Sequence, residues 1–228
     1  MHYELWIDLK FNFKIQQYQT DAVDAVINVF NGQGFHDKTN YIRDLGNKNQ
    51  TDAQMTINTP DEEFDVINDI GYKNELIELS DEQLLQNIHT LQSQNNIKLS
   101  PSLVKDLGRC SLDIEMETGT GKTYVYIKTM FELNKKYGWS KFIVVVPSIA
   151  IREGVKKSFE VTTDHFMEYY GKKARFFIYN SSNLNQLDNF SSNSGINVMI
   201  INTQAFATSL KEGGRSKESR IIYSKRDE

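Results

Sequence analysis

Apolar residues alternate at Leu5, Ile7 and Leu9, the period-2 pattern of a strand over residues 3–11. From Tyr18 the period changes. Tyr18, Ala22, Val23, Val26, Ile27 and Phe30 share one face of a helix, and Asn31-Gly32 ends it. Residues 31–79 are rich in Asn, Asp, Gly and Thr and hold no sustained period. The expectation there is an irregular insertion with short strands near 55–57 and 64–67. Ser80-Asp81-Glu82-Gln83 has the form of a capping box, opening a helix through Leu84, Leu85, Ile88 and Leu91. Ser100-Pro101 breaks the chain again.

Beyond that break the pattern becomes regular. Strands are expected over 112–116, 142–146, 175–179 and 197–201, and helices over 122–137, 149–159 and 204–210. Alternating strands and helices predict an α/β fold with a mainly parallel sheet and helices on both faces. The run Ile143-Val144-Val145-Val146 reads as a strand buried on both sides.

Composition adds boundaries. The 228 residues allow one large domain or two small ones, and 39% hydrophobic residues make a packed core feasible. The net charge of -4 gives no global support for binding nucleic acid, so any such contact needs local patches. The single cysteine, Cys110, excludes an internal disulfide, fits a reducing cytoplasm, and is expected as a small buried side chain. The longest apolar run is far too short to span a membrane. The start, Met1-His2-Tyr3-Glu4, lacks the basic and apolar parts of a signal peptide.

The chemistry concentrates at Glu117-Thr118-Gly119-Thr120-Gly121-Lys122-Thr123, between an expected strand and an expected helix. Glycines let backbone N–H groups turn inward around phosphates, and a helix N-terminus adds partial positive charge there. Thr118, Gly119, Thr120 and Gly121 would form the cradle. Lys122 can reach β- and γ-phosphates, and the Thr123 hydroxyl can ligate Mg²⁺. The pattern's usual first Gly or Ala is Met116 here. The bland alternative is a plain Gly-rich turn. Upstream, Gln19 stands at the start of the first helix. Its amide carries a donor and an acceptor in one plane, matching adenine N6 and N7; the alternative is an ordinary surface glutamine.

Several stretches resemble superfamily-2 helicases. Tyr18-Gln19-Thr20-Asp21-Ala22-Val23 resembles their glutamine motif, Met116 through Thr123 their motif I, and Val145-Val146-Pro147-Ser148 through Val155 their motif Ia. Residues 112–166, with Phe131-Glu132-Leu133-Asn134-Lys135 and Ile151-Arg152-Glu153-Gly154-Val155, resemble the restriction (Res) subunit of type III restriction-modification enzymes. Asn197 through Phe206 is similar to that subunit's next core strand and helix.

The resemblance implies a RecA-like P-loop lobe, the incomplete first half of a two-lobe ATP-driven motor followed by a nuclease domain. It implies Mg-ATP as cofactor, double-stranded DNA as substrate, and a modification methyltransferase subunit as partner. It divides the chain into an N-terminal strand and adenine-motif helix (1–30), an insertion (31–110), the core with the phosphate loop (111–210) and a polar tail (211–228). The acidic motif II is expected beyond residue 228. Asp227-Glu228 follow Ser224-Lys225-Arg226, which do not suit the buried end of a core strand.

For DNA, Pro147, Ser148 and Arg152 are the candidate contacts, from the N-terminus of the following helix. Lys156, Lys157, Lys172 and Lys173 read equally as solvated surface. Two other classes stay open: a phosphoryl-transfer kinase with a phosphate loop, and a non-catalytic nucleotide-binding interaction module. The chain alone is expected to bind nucleotide and to hydrolyse it negligibly.

Overall fold

The computed structural model describes residues 13–42, 70–106, 108–180 and 185–203. The expected strand over 3–11, the short strands near 55–57 and 64–67, the helix over 204–210 and Asp227-Glu228 lie outside the described residues.

The chain opens with helix α1 (Gln17–Val29), whose Val23, Ile27 and Val29 are buried. Two short strands, β1 (Asn40–Ile42) and β2 (Ile70–Tyr72), pair antiparallel, with Tyr41 opposite Gly71. Both lie inside residues 31–79, the segment expected to be irregular. Helix α2 (Asp81–Gln94) starts with the capping box foreseen from its sequence. The Ser80 hydroxyl accepts the Gln83 amide, and the Gln83 side chain accepts the Ser80 amide. Helix α3 (Lys122–Tyr137) has the bounds its periodicity predicts. Strand β3 (Lys141–Val146), helix α4 (Ile149–Tyr170), strand β4 (Arg175–Ile178), helix α5 (Asn185–Ser192) and strand β5 (Asn197–Asn202) complete the order.

The strands β3, β5 and β4 form one parallel sheet in that spatial order. Every residue of β5 is buried, because it has a neighbour on each edge and helices on each face. Val198 and Ile200 point into a core with Ile127, Met130 and Phe131 of α3 and Val155, Phe159 and Phe166 of α4. Met199 and Ile201 point the other way, to Leu187 and Phe190 of α5. A second core joins α1, α2 and α3 through Val23, Ile27, Leu84, Val125 and Tyr137. The antiparallel pair is tied to the sheet by Asn74, whose amide donates to the Lys141 carbonyl at 2.8 Å and whose oxygen accepts the Ser140 amide at 2.7 Å.

Three expectations need correction, and three short elements were unforeseen. Residues 112–116 join no ladder among the described residues. Leu112 and Met116 still pack into the α1–α2–α3 core, so the apolar signal reflected burial without pairing. The Ile143–Val146 run is buried on one side only: Ile143 and Val145 are 49% and 44% exposed, because α5 packs on β5 and β4 and meets β3 only at its first residue, Lys141. Helix α4 runs on past 159 to Tyr170. Finally, α5 and the β1–β2 pair carry no periodic signal in the sequence. Among the described residues no helix is long and apolar enough to cross a membrane.

Candidate nucleotide site

The site is built where α1 meets α3. The two helices run side by side in the same direction. The Gln19 amide donates to the Thr120 carbonyl at 2.9 Å just before α3, and Lys128 Nζ donates to the Thr20 hydroxyl at 3.1 Å. Nearer the other end, the Tyr137 hydroxyl donates to the Ile27 carbonyl at 2.9 Å and Lys136 Nζ to the Asn28 side chain at 3.3 Å. Parallel packing brings two helix N-termini, each with partial positive charge, to one place.

The loop itself is compact and open to solvent. The Thr120 hydroxyl and Lys122 Nζ both donate to the Glu117 carbonyl, at 2.6 and 2.7 Å. Gly119 and Gly121 have φ of +82° and +86°, a region that side chains with a Cβ avoid. At Gly121 space matters as well: a Cβ would lie 2.6 Å from Gln19 Nε2, so a side chain there would push that amide aside. Nothing lies within 4 Å of where a Gly119 Cβ would stand. Gly121 is the N-cap of α3 and supplies no side-chain cap, so the first-turn amides are left for an external acceptor. Thr118 and Lys122 are exposed, and Thr123 is half-buried.

Gln19, Thr118, Gly119, Thr120, Gly121, Lys122 and Thr123 therefore converge on one end of the α1–α3 pair. An Mg²⁺ ion would find one protein ligand here, the Thr123 hydroxyl. Among the described residues no group of three His, Cys, Asp or Glu side chains could hold a metal. That donor set suits Mg²⁺ carried in by phosphate oxygens and water rather than a caged ion.

Pro147, Ser148 and Arg152 lie at the C-terminal end of β3 and the start of α4. Pro147 and Ser148 are exposed, and the Ser148 hydroxyl caps α4 by accepting the Ile151 amide at 3.4 Å. Arg152 has a side chain only 20% exposed and is engaged with Glu153 at 3.1 Å. Lys156 and Lys157 share Glu160, at 3.8 and 3.3 Å, and Lys173 faces Asp164 at 3.8 Å, as a solvated surface does. Lys172 donates to the Asn134 side chain at 3.1 Å. Cys110 is half-buried against the α1–α2–α3 core, and burial pushes its thiol up, away from the thiolate that a nucleophile needs.

Sequence reasoning missed five residues at or beside this site. The Tyr18 hydroxyl donates to the same Thr120 carbonyl at 3.3 Å. Lys128, 5% exposed, is buried beneath the start of α1. Tyr124, one residue past Thr123, shares a 2.9 Å hydrogen bond with His165 of α4, and Phe13 packs on both rings. Burial holds the His165 imidazole below its ordinary pKa, with the charge of Lys128 acting in the same direction and Glu168 opposing both. Tyr18 stood beside Gln19 in the sequence; the other contacts join residues far apart in the chain and left no local signal.

Known proteins resemble this chain in sequence. A family model described as type III restriction enzyme, res subunit, matches residues 12–223. The chain is 38% identical over 113 residues to the EcoP15I Res subunit of Escherichia coli, a type III restriction-modification enzyme, covering 47% of this chain and 11% of that protein. It is 30% identical over 166 residues to the EcoPI Res subunit of Escherichia phage P1, covering 72% of this chain and 14% of the relative. To the StyLTI Res subunit of Salmonella typhimurium it is 44% identical over 85 residues, covering 35% of this chain and 8% of the relative. The chain thus spans between 8% and 14% of the length of these curated relatives. The parallel sheet with helices on both faces is that of a RecA-like lobe. On this match the chain belongs to the type III restriction enzyme res-subunit family and forms part of its helicase-like motor region.

Proposed function

We propose that this lobe binds Mg-ATP, with the phosphates in the Thr118–Thr123 loop and the adenine read by Gln19. Its parent would couple ATP hydrolysis to movement along double-stranded DNA and to cleavage, in concert with a modification methyltransferase subunit. One observation carries the nucleotide reading: Gln19 Nε2 lies 2.9 Å from the carbonyl of Thr120, at the mouth of the uncapped α3 N-terminus. An adenine held by that amide would sit on the same side as phosphates held by the loop.

Lys122 Nζ now rests on the Glu117 carbonyl; an ammonium has three donors, so it can keep that bond and still meet a phosphate oxygen. Thr123 would complete the Mg²⁺ shell. Pro147 and Ser148 offer backbone and hydroxyl groups to a DNA phosphate, with Arg152 adding charge once freed from Glu153.

The test is nucleotide preference, read by fluorescence titration with labelled ATP and GTP. The expected result is preference for adenine, abolished by Gln19→Ala with phosphate affinity partly retained. Equal affinity for the two bases in the unaltered chain would overturn the adenine assignment. Negligible ATP hydrolysis is expected from the chain by itself. DNA-stimulated turnover abolished by Lys122→Ala would show that it holds a complete catalytic set.

A further inference from the structure

We infer that Lys128 is a positioning residue that holds the Gln19 amide over the phosphate loop, and that this, rather than stability, is its role. The inference rests on the nucleotide reading above only for its functional consequence. Lys128 lies in the second turn of α3 and is 5% exposed. Its one hydrogen-bond acceptor among the described residues is the Thr20 hydroxyl, at 3.1 Å. No carboxylate of the described residues pairs with it.

A buried ammonium with one neutral acceptor is a poor source of stability, since desolvation outweighs a single hydrogen bond. Its location adds to the cost. Thr20 is in the first turn of α1, where the helix dipole repels a cation. Yet that turn needs an anchor. Gln16 provides no side-chain cap, and no acidic residue stands in the first turn.

The bonds form a relay. Lys128 donates to the Thr20 hydroxyl, and that hydroxyl donates to the Gln16 carbonyl at 3.4 Å. The same carbonyl accepts the amides of Gln19 and Thr20, both at 3.2 Å. The turn that carries Gln19 is thereby pinned from below by α3, the helix whose N-terminus holds the loop. Lys128 and Gly121 thus fix the two sides of one contact, the backbone under Gln19 and the space it enters.

The test compares the full chain with Lys128→Met, which keeps most of the apolar stem, with Thr20→Val, and with Thr20→Ser, which retains the hydroxyl. Labelled ATP, labelled GTP and inorganic tripolyphosphate are titrated against each. Lys128→Met and Thr20→Val should lose the adenine preference, a factor of about ten. Tripolyphosphate affinity should stay, Thr20→Ser should keep the preference, and the melting temperature of Lys128→Met should not fall. A uniform loss for all three ligands would mean that Lys128 acts as a general charge, and a lowered melting temperature with an intact preference would make it structural; either overturns the inference. The Gln19 side-chain amide resonance, read by NMR without ligand, separates the two claims. If it moves in Lys128→Met while the unaltered chain binds no nucleotide, the nucleotide reading falls and the positioning role stands. If it stays in place, the positioning role is wrong.

Discussion

Gly121 carries two constraints at once. Its φ of +86° is costly for any residue with a Cβ, and that Cβ would also collide with Gln19 Nε2 at 2.6 Å. Gly121→Ala should therefore cost about 1–2 kcal/mol in denaturant unfolding, from the backbone conformation alone. It should also weaken adenine nucleotides by more than it weakens tripolyphosphate, because the displaced group is the amide. Unchanged stability together with unchanged base preference would refute this account of the contact. The glycine spacing was legible in the sequence because backbone conformation is a local property. The Thr20–Lys128 and Tyr124–His165 contacts were not, because each depends on how whole helices dock. Lys128 reads from its neighbours as one more surface lysine, and only the packing of α1 on α3 buries it.

At the scale of elements, local chemistry and tertiary packing divide the outcome. The α2 start is local. Ser80→Ala removes the hydroxyl that accepts the Gln83 amide and should cost about 1 kcal/mol, measured by urea unfolding. A change within error would mean that water caps the helix equally well. The length of α4 is tertiary. Val161, Thr162 and Thr163 are β-branched and lower helix propensity just where the sequence suggested an end. Helix continues because Phe166 and Tyr170 stack on Phe131 at 4.9 and 5.0 Å, and Gly171 then closes it in the left-handed region. The threonine hydroxyls fit the helix by donating to carbonyls one turn back, at 2.7 Å each. Residues 112–116 show the reverse case. Their apolar pattern was legible, but a strand also needs a partner, and pairing is invisible to periodicity.

Over the whole molecule, the sheet separates two ends with different chemistry. The loop, Gln19 and Ser148 gather beyond the C-terminal end of β3 or at the helix starts, while Lys141 sits at the opposite end of β3. There Lys141 donates to the Asn193 carbonyl and lies over the Phe190 ring at 5.5 Å. Burial, with Arg175 nearby, pushes its ammonium down to about 8 from an ordinary 10.5. The unfolded chain thus binds the proton more tightly than the folded one across that interval, so stability should rise as pH goes from about 8 towards 9. Burial raises the Cys110 thiol from its ordinary 9 and lifts Tyr137 from 10 to about 12, so each acts in the opposite sense once pH passes its ordinary value. Urea midpoints over this window should climb in the unaltered chain and flatten in Lys141→Met. A slope that survives the substitution would assign it to another group. The α/β class was visible in the sequence because strand and helix periods alternate. Which strand lies at the centre was not, since β3 has the more continuous aliphatic run yet β5 holds both edges and both faces.

In the proposed function the Gly119–Thr123 turn is a phosphate cradle completed by the Lys122 ammonium. Isothermal titration of the chain with Mg-ATP, beside Lys122→Ala, tests it most directly. Saturable one-to-one binding is expected, weakening by about tenfold or more when the ammonium is removed. Binding of equal strength in both proteins, or none in the unaltered chain, would contradict it.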